Sequence, residues 1–123
     1  MNFGNVAVSS SAGTVVLATA GTRTATGGVT LPATSGTIAA AEFTVTGQAG
    51  YTYSITLPST PTTVASGSNT MSVNAFTSNP DGTGTLTGGT QTLKVGATLN
   101  VGASQAAGTY TSATPFTVTV NYN

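Results

Sequence analysis

The chain has 123 residues, the length of one domain, which is enough to bury a single sandwich core without disulfide or metal staples. Only 3% of residues are charged, and ordinary domains carry about 25%. The four charges, Arg23, Glu42, Asp81 and Lys94, cancel. This excludes a basic patch for nucleic acid and a basic amphipathic helix for a membrane surface, because both need several Lys or Arg on one face.

What remains is 38% apolar residues, 28 threonines, 16 glycines and 5 prolines. Thr and Val with Gly and Pro describe strands joined by tight turns. A disordered chain would combine polarity with high net charge. No apolar run is long enough to span a bilayer. There is no cysteine, so stability does not come from disulfides. Met1 is followed by Asn-Phe-Gly and not by a basic, then apolar, leader. It is either a start residue or the boundary of a processed or longer chain. A surface this short of charge suits a packed assembly.

In chain order, Asn2 to Val8 is a short strand candidate carrying Phe3, Val6 and Val8. Thr14 to Thr19 is a second, with Val15 and Leu17 on one face. Thr22 to Thr26 alternates and is expected to turn at Gly27-Gly28 into Val29-Thr30-Leu31, a hairpin signal. Ile38 to Glu42 is the one helical window, too short to stand alone. Phe43 to Thr46 reads as a strand. Tyr51, Tyr53, Ile55 and Leu57 alternate with polar residues in the next one. Asn69 to Phe76 places Met71, Val73 and Ala75 on one side and Phe76 on the other. Ser78-Asn79-Pro80-Asp81-Gly82 is a strong turn. Thr83 to Thr87 leads to Gly88-Gly89. Leu93 to Val101 alternates over a long run that bends at Gly96.

The last stretch, Gly108 to Asn123, is the strand around which the rest is organised. Phe116, Val118, Val120 and Tyr122 point one way, and Thr117, Thr119 and Asn121 the other. Eight or nine strands at roughly ten-residue spacing predict a single all-β domain over residues 1–123, a sandwich or barrel.

Catalytic chemistry finds little support. There is no His and no Cys to form a nucleophile–base pair. Lys94 is the only lysine, lies out of phase with Leu93 and Val95, and is read as solvent-facing. Glu42 and Asp81 are the only carboxylates, and nothing places them together as a glycosidase requires. No metal or cofactor site is read. Gly82 to Gly89 imitates a phosphate loop but lacks the Gly-Lys-Ser/Thr ending and a following helix. Tyr51, Tyr53, Tyr110 and Tyr122 are candidates for a sugar-stacking platform, although Tyr51, Tyr53 and Tyr122 share the apolar phase of their strands and read as core or core rim. The Thr-x-Thr runs are read as outward-facing strand threonines, with ice binding as a remote alternative.

Several blocks in order resemble one family. They are Asn2-Phe3-Gly4, Gly21 to Pro32, Phe43 to Gly47, Tyr53 to Pro58, Gly89 to Leu93, Val95 to Leu99, and the closing Phe116-Thr-Val-Thr-Val-Asn-Tyr122. The family is the bacterial secreted domain of unknown function numbered 4402, which is similar to pilin-like and spore-coat-like domains of archaic chaperone–usher fimbriae. The resemblance implies an incomplete immunoglobulin-like, pilin-like β-sandwich with an apolar groove that a neighbour's strand fills. It implies a structural, non-enzymatic subunit of an extracellular filament or fimbria on the bacterial cell surface. The partners would be further copies of itself, assembled with a periplasmic chaperone and an outer-membrane usher. Phe116, Val118, Val120 and Tyr122 would line the groove, and Phe3, Val6 and Val8 would form the opposing strand. Members carry a segment ahead of Asn2-Phe3-Gly4. If that segment is the donor strand, the expectation is that this chain is trimmed from a longer one, completes itself, or exchanges residues 1–8 or 14–19. The alternative function is a monomeric adhesion module for surface glycans or proteins.

Overall fold

The computed structural model describes all 123 residues and is all-β, with several antiparallel sheets and no α-helix. Its strands are β1 (Asn2–Phe3), β2 (Gly13–Leu17), β3 (Arg23–Gly27), β4 (Ile38–Ala39), β5 (Ala41–Thr46) and β6 (Thr52–Thr56). They continue with β7 (Thr62–Ser66), β8 (Asn69–Asn79), β9 (Thr83–Thr85), β10 (Thr90–Val101) and β11 (Thr119–Tyr122). A 3-10 turn at Thr87–Gly89 joins β9 to β10.

The twelve-residue β10 is the axis of the fold. One side of it pairs with β8, which pairs with β7. Its other side has two partners in succession. Thr90 to Val95 pairs with β5, and Ala97 to Val101 pairs with β2, which pairs with β3. Gly96 sits at the changeover. A Cβ there would lie 2.1 Å from the Leu17 carbonyl oxygen, so only glycine lets the end of β2 approach this closely. The sequence-predicted bend at Gly96 is therefore a change of partner within a continuous strand.

The alternation of β10 fixes which face is buried. Leu93, Val95, Ala97, Leu99 and Val101 are all inside. Two apolar clusters divide along the strand. Val15, Val29, Val73, Ala97, Leu99 and Val101 form the first, covered by Phe3, Val6 and Leu31. Ala41, Val45, Tyr53, Leu86, Leu93 and Val95 form the second, which lies between the large sheet and the small sheet β11-β6-β9. Fully burying one such side chain contributes roughly 1.5–3 kcal/mol. No buried side-chain nitrogen or oxygen lacks a partner.

Several expectations are corrected. Ile38 to Glu42 is no helical turn: it runs into β4 and β5, where Ala41 enters the second cluster. A window of five residues cannot meet the cost of helix nucleation when a strand edge is beside it. The Gly27-Gly28 pair does not turn a hairpin. The hairpin is β2–β3, closed through Gly21, and Gly27 faces Gly13 at its open end. The strand Thr62–Ser66, which forms a hairpin with β8, was not read from the sequence; its apolar content is only Val64 and Ala65.

Phe76 also departs from simple alternation. Ala75 and Phe76 together oppose the single residue Ala97, a β-bulge, with Ala75 at φ +50°. The extra residue flips the phase, so Phe76 turns inward and touches both clusters. Ser78 is consequently buried, where its hydroxyl donates to the Pro80 carbonyl at 2.8 Å. Lys94 faces outward as expected, on the central strand β10. It pairs with its cross-strand partner Glu42 at 3.4 Å, an exposed contact contributing no more than about 1 kcal/mol.

Candidate functional site

Two strand edges of the second cluster are left open. β5 pairs only with β10, and β11 pairs only with β6. Each therefore presents unpaired N–H and C=O groups along its free side. The phase of β5 turns Ala41, Phe43 and Val45 toward the interior. Ala41 and Val45 are buried, yet Phe43 is 40% exposed, because nothing covers it. Facing it, Val118 and Val120 pack on the same cluster and remain only half-buried.

Between the edges lies a groove of about 210 Å³ lined by Phe43, Val45, Leu93, Val118, Val120 and Tyr122. Its two ends are closed by side chains. At one end Phe43 meets Phe116 edge-on, with ring centres 6.5 Å apart, and Phe116 also lies 5.1 Å from Phe76. At the other, the Tyr122 hydroxyl donates to the Thr46 carbonyl at 2.6 Å. Both β5 and β11 run from the phenylalanine end to the tyrosine end, so they are parallel to each other. One strand laid between them can thus be antiparallel to both. Paired strands lie about 4.8 Å apart, and here a whole tyrosine ring is needed to reach from one edge toward the other.

The structure brings together four of the residues singled out from the sequence. Val118, Val120 and Tyr122 line the groove, and Phe116 closes its end. Phe3, Val6 and Val8 lie elsewhere. Phe3 and Val6 cover the first cluster, and Val8 is 42% exposed. The expected strand over residues 2–8 is reduced to Asn2–Phe3, which pairs with β4, and a single bridge from Ala7 to Thr30. Gly4, at φ +72°, breaks it, and a Cβ there would meet the Ser35 carbonyl at 2.4 Å. Arg23 Nη1 fixes this kink by donating to the carbonyls of Phe3 at 2.7 Å and Asn5 at 2.5 Å. Residues 14–19, the other stretch considered for exchange, are paired within this chain. β2 is internal to the sheet, and Val15 and Leu17 are fully buried.

The groove residues not singled out as site residues are Phe43, Val45 and Leu93. Their alternation is visible in the sequence, but the open space in front of them depends on which strand edges remain unpaired. Tyr122 lines the groove, and Tyr51, Tyr53 and Tyr110 do not join it in a platform. Tyr53 is fully buried and donates to Gln91 Oε1 at 2.6 Å. Tyr110 is half-buried, with its hydroxyl donating to the Ala106 carbonyl at 2.6 Å. Tyr51 alone is well exposed. No helix is long and apolar enough to cross a membrane.

No curated protein and no solved structure is detectably similar to the chain. One family model matches residues 1–122, nearly the whole chain, and on that match the chain belongs to the family described as domain of unknown function (DUF4402).

Proposed function

We propose that the chain is a structural subunit of a bacterial extracellular filament, assembled when a strand from a neighbouring copy completes the groove between β5 and β11. The observation that carries this reading is the pair of open, co-directional strand edges over an apolar floor. A single added strand would satisfy two rows of backbone groups and cover Phe43, Val118 and Val120 at once. Contacts of this head-to-tail kind produce filaments when the rotation between copies does not close a ring. On this reading the fold is an immunoglobulin-like sandwich short of one strand. The near absence of charge removes the repulsion that keeps ordinary domains apart. Export to the cell surface and assistance from a chaperone and usher belong to the same proposal.

The test is the assembly state of the purified chain, by size-exclusion chromatography with light scattering and by negative-stain microscopy of the same sample. Filaments, or an oligomer ladder that survives mild denaturant, are expected. A clean monomer with a high melting temperature overturns polymerisation for this chain and leaves the monomeric adhesion module in its place.

A further inference from the structure

The outer face of the large sheet has a composition opposite to its inner face. Register aligns Thr26, Thr14, Asn100, Ser72 and Thr63 in one row across β3, β2, β10, β8 and β7. At about 4.8 Å per strand this row is roughly 19 Å long. Every member carries a hydroxyl or a carboxamide, and none carries a charge. At the β7 end the row opens into a recess of about 320 Å³ between β7, β8 and the segment after β10. That is the low end of small-molecule sites, about 300–1,000 Å³.

The recess is polar but neutral. Thr63, Thr70, Ser72, Asn100 and Gln105 line it, Met71 at its border packs inward on the first cluster, and none of the four charged residues is present. Several of these groups are held in place. Asn100 Nδ2 donates to the Ser72 carbonyl and Oγ at 3.3 Å and to Asn74 Oδ1 at 2.9 Å. The Asn100 carboxamide oxygen and the Thr63 and Thr70 hydroxyls make none of these bonds, and their residues line the recess. Gln105 is fixed from three sides: it accepts from the Gly102 amide at 3.2 Å and donates to the Thr70 carbonyl at 3.2 Å and the Tyr110 hydroxyl at 2.9 Å. Tyr110 thus acts from behind, as a support for Gln105.

We infer that this recess and the row leading from it bind a neutral polysaccharide. One sugar ring would sit in the recess, with its hydroxyls bonded to Thr63, Ser72 and Asn100, and the chain would run across the strands. Prefixed amide and hydroxyl groups with no charge suit polyhydroxylated neutral ligands and offer no cationic partner to a phosphate, sulfate or carboxylate. The site shares no residue with the β5–β11 groove, so it stands or falls independently of strand complementation.

The test is an NMR amide titration of the full chain with neutral oligosaccharides of glucose, mannose, galactose and N-acetylglucosamine, with a sialylated oligosaccharide as the charged comparison. At least one neutral probe is expected to move the signals of Thr63, Ser72, Gly102 and the Asn100 and Gln105 side-chain amides together and saturably. Thr63→Val keeps the side-chain shape at an exposed edge position, and Ser72→Ala removes the neighbouring hydroxyl. Each is expected to weaken binding about tenfold, the effect of losing one hydrogen bond, while the chain keeps its fold and a cooperative melting transition. The inference is overturned if no neutral probe shifts these signals, if the sialylated probe binds more tightly, or if both variants bind as the parent does.

Discussion

The Tyr122 hydroxyl bonds the Thr46 carbonyl at 2.6 Å across two strand edges that are not paired with each other. It occupies an acceptor that an incoming strand would need. Tyr122 itself is 60% exposed, so the contact is the weakest closure of the groove. Tyr122→Phe is therefore expected to cost the monomer less than about 1 kcal/mol in urea unfolding. It should also speed oligomer growth followed by light scattering. Slower growth would mean that the hydroxyl belongs to the bound state and not to the closed one.

Val118→Asp and Val120→Asp separate assembly from folding. Both side chains are half-buried at the groove, so a carboxylate there stays hydrated in the monomer but is stranded without a partner once a strand covers it. The oligomer ladder should disappear while the circular dichroism spectrum and the cooperative unfolding transition persist. Leu93→Ala is the contrast. Leu93 is 1% exposed in the same groove floor, and its truncation should cost 2–5 kcal/mol, roughly as for other core leucines. If the aspartate variants assemble normally, strand complementation does not use this groove.

Much of the fold is legible because alternation is a local signal. Val15 with Leu17, Phe43 with Val45, and Leu93 through Val101 each announce a strand and its buried face. Phe76 is not legible in this way, because one inserted residue at Ala75 inverts the phase and leaves no mark in the alternation itself. Nor is the turn role of a Gly-Gly pair: Gly27-Gly28 is used for close approach, and a Cβ on Gly28 would stand 2.1 Å from the Ser11 carbonyl. The groove is half-legible. Its β11 wall follows from Phe116 to Tyr122, whereas the β5 wall depends on β10 being shared between β5 and β2. That is a long-range pairing decided at Gly96.

Gly96 should accordingly tolerate no side chain. Its surroundings at the required Cβ position are backbone atoms, the Leu17 carbonyl oxygen at 2.1 Å and Ala18 C at 3.0 Å, and backbone cannot swing aside. Gly96→Ala is expected to destabilise the chain by about 3 kcal/mol or more, through separation of β2 from β10. The urea midpoint should fall with little change in slope if the two-state transition is kept. A loss under about 1 kcal/mol would show that β2 can shift along β10.

Tyr53 predicts the alkaline limit of stability. Burial pushes its phenol above the ordinary value of 10.0, because the phenolate would lose its hydration. The folded state then holds its proton at a pH where the unfolded chain has released it. Stability should be flat up to about the ordinary pKa and fall as pH rises from there through the raised value. Tyr53→Phe should flatten that alkaline decline while lowering stability at neutral pH by about 1 kcal/mol, the bond to Gln91 being lost. An identical alkaline profile in the variant would assign the decline to other tyrosines.

Ala75 offers the opposite kind of test, a substitution that should help. It is exposed and sits at φ +50°, where a Cβ crowds its own backbone by about 1–2 kcal/mol. Glycine removes that strain but loses more entropy on folding, by roughly 0.5–1 kcal/mol. Ala75→Gly should therefore raise stability by up to about 1 kcal/mol, and Ala75→Asn, which tolerates this region without glycine's freedom, by a similar amount. Ala75→Val should lower it, because a β-branched side chain fits this conformation worst. The measurement is the urea midpoint of the three variants against the parent. A valine variant as stable as the glycine variant would mean that the bulge relaxes, which would carry Phe76 out of the core it joins.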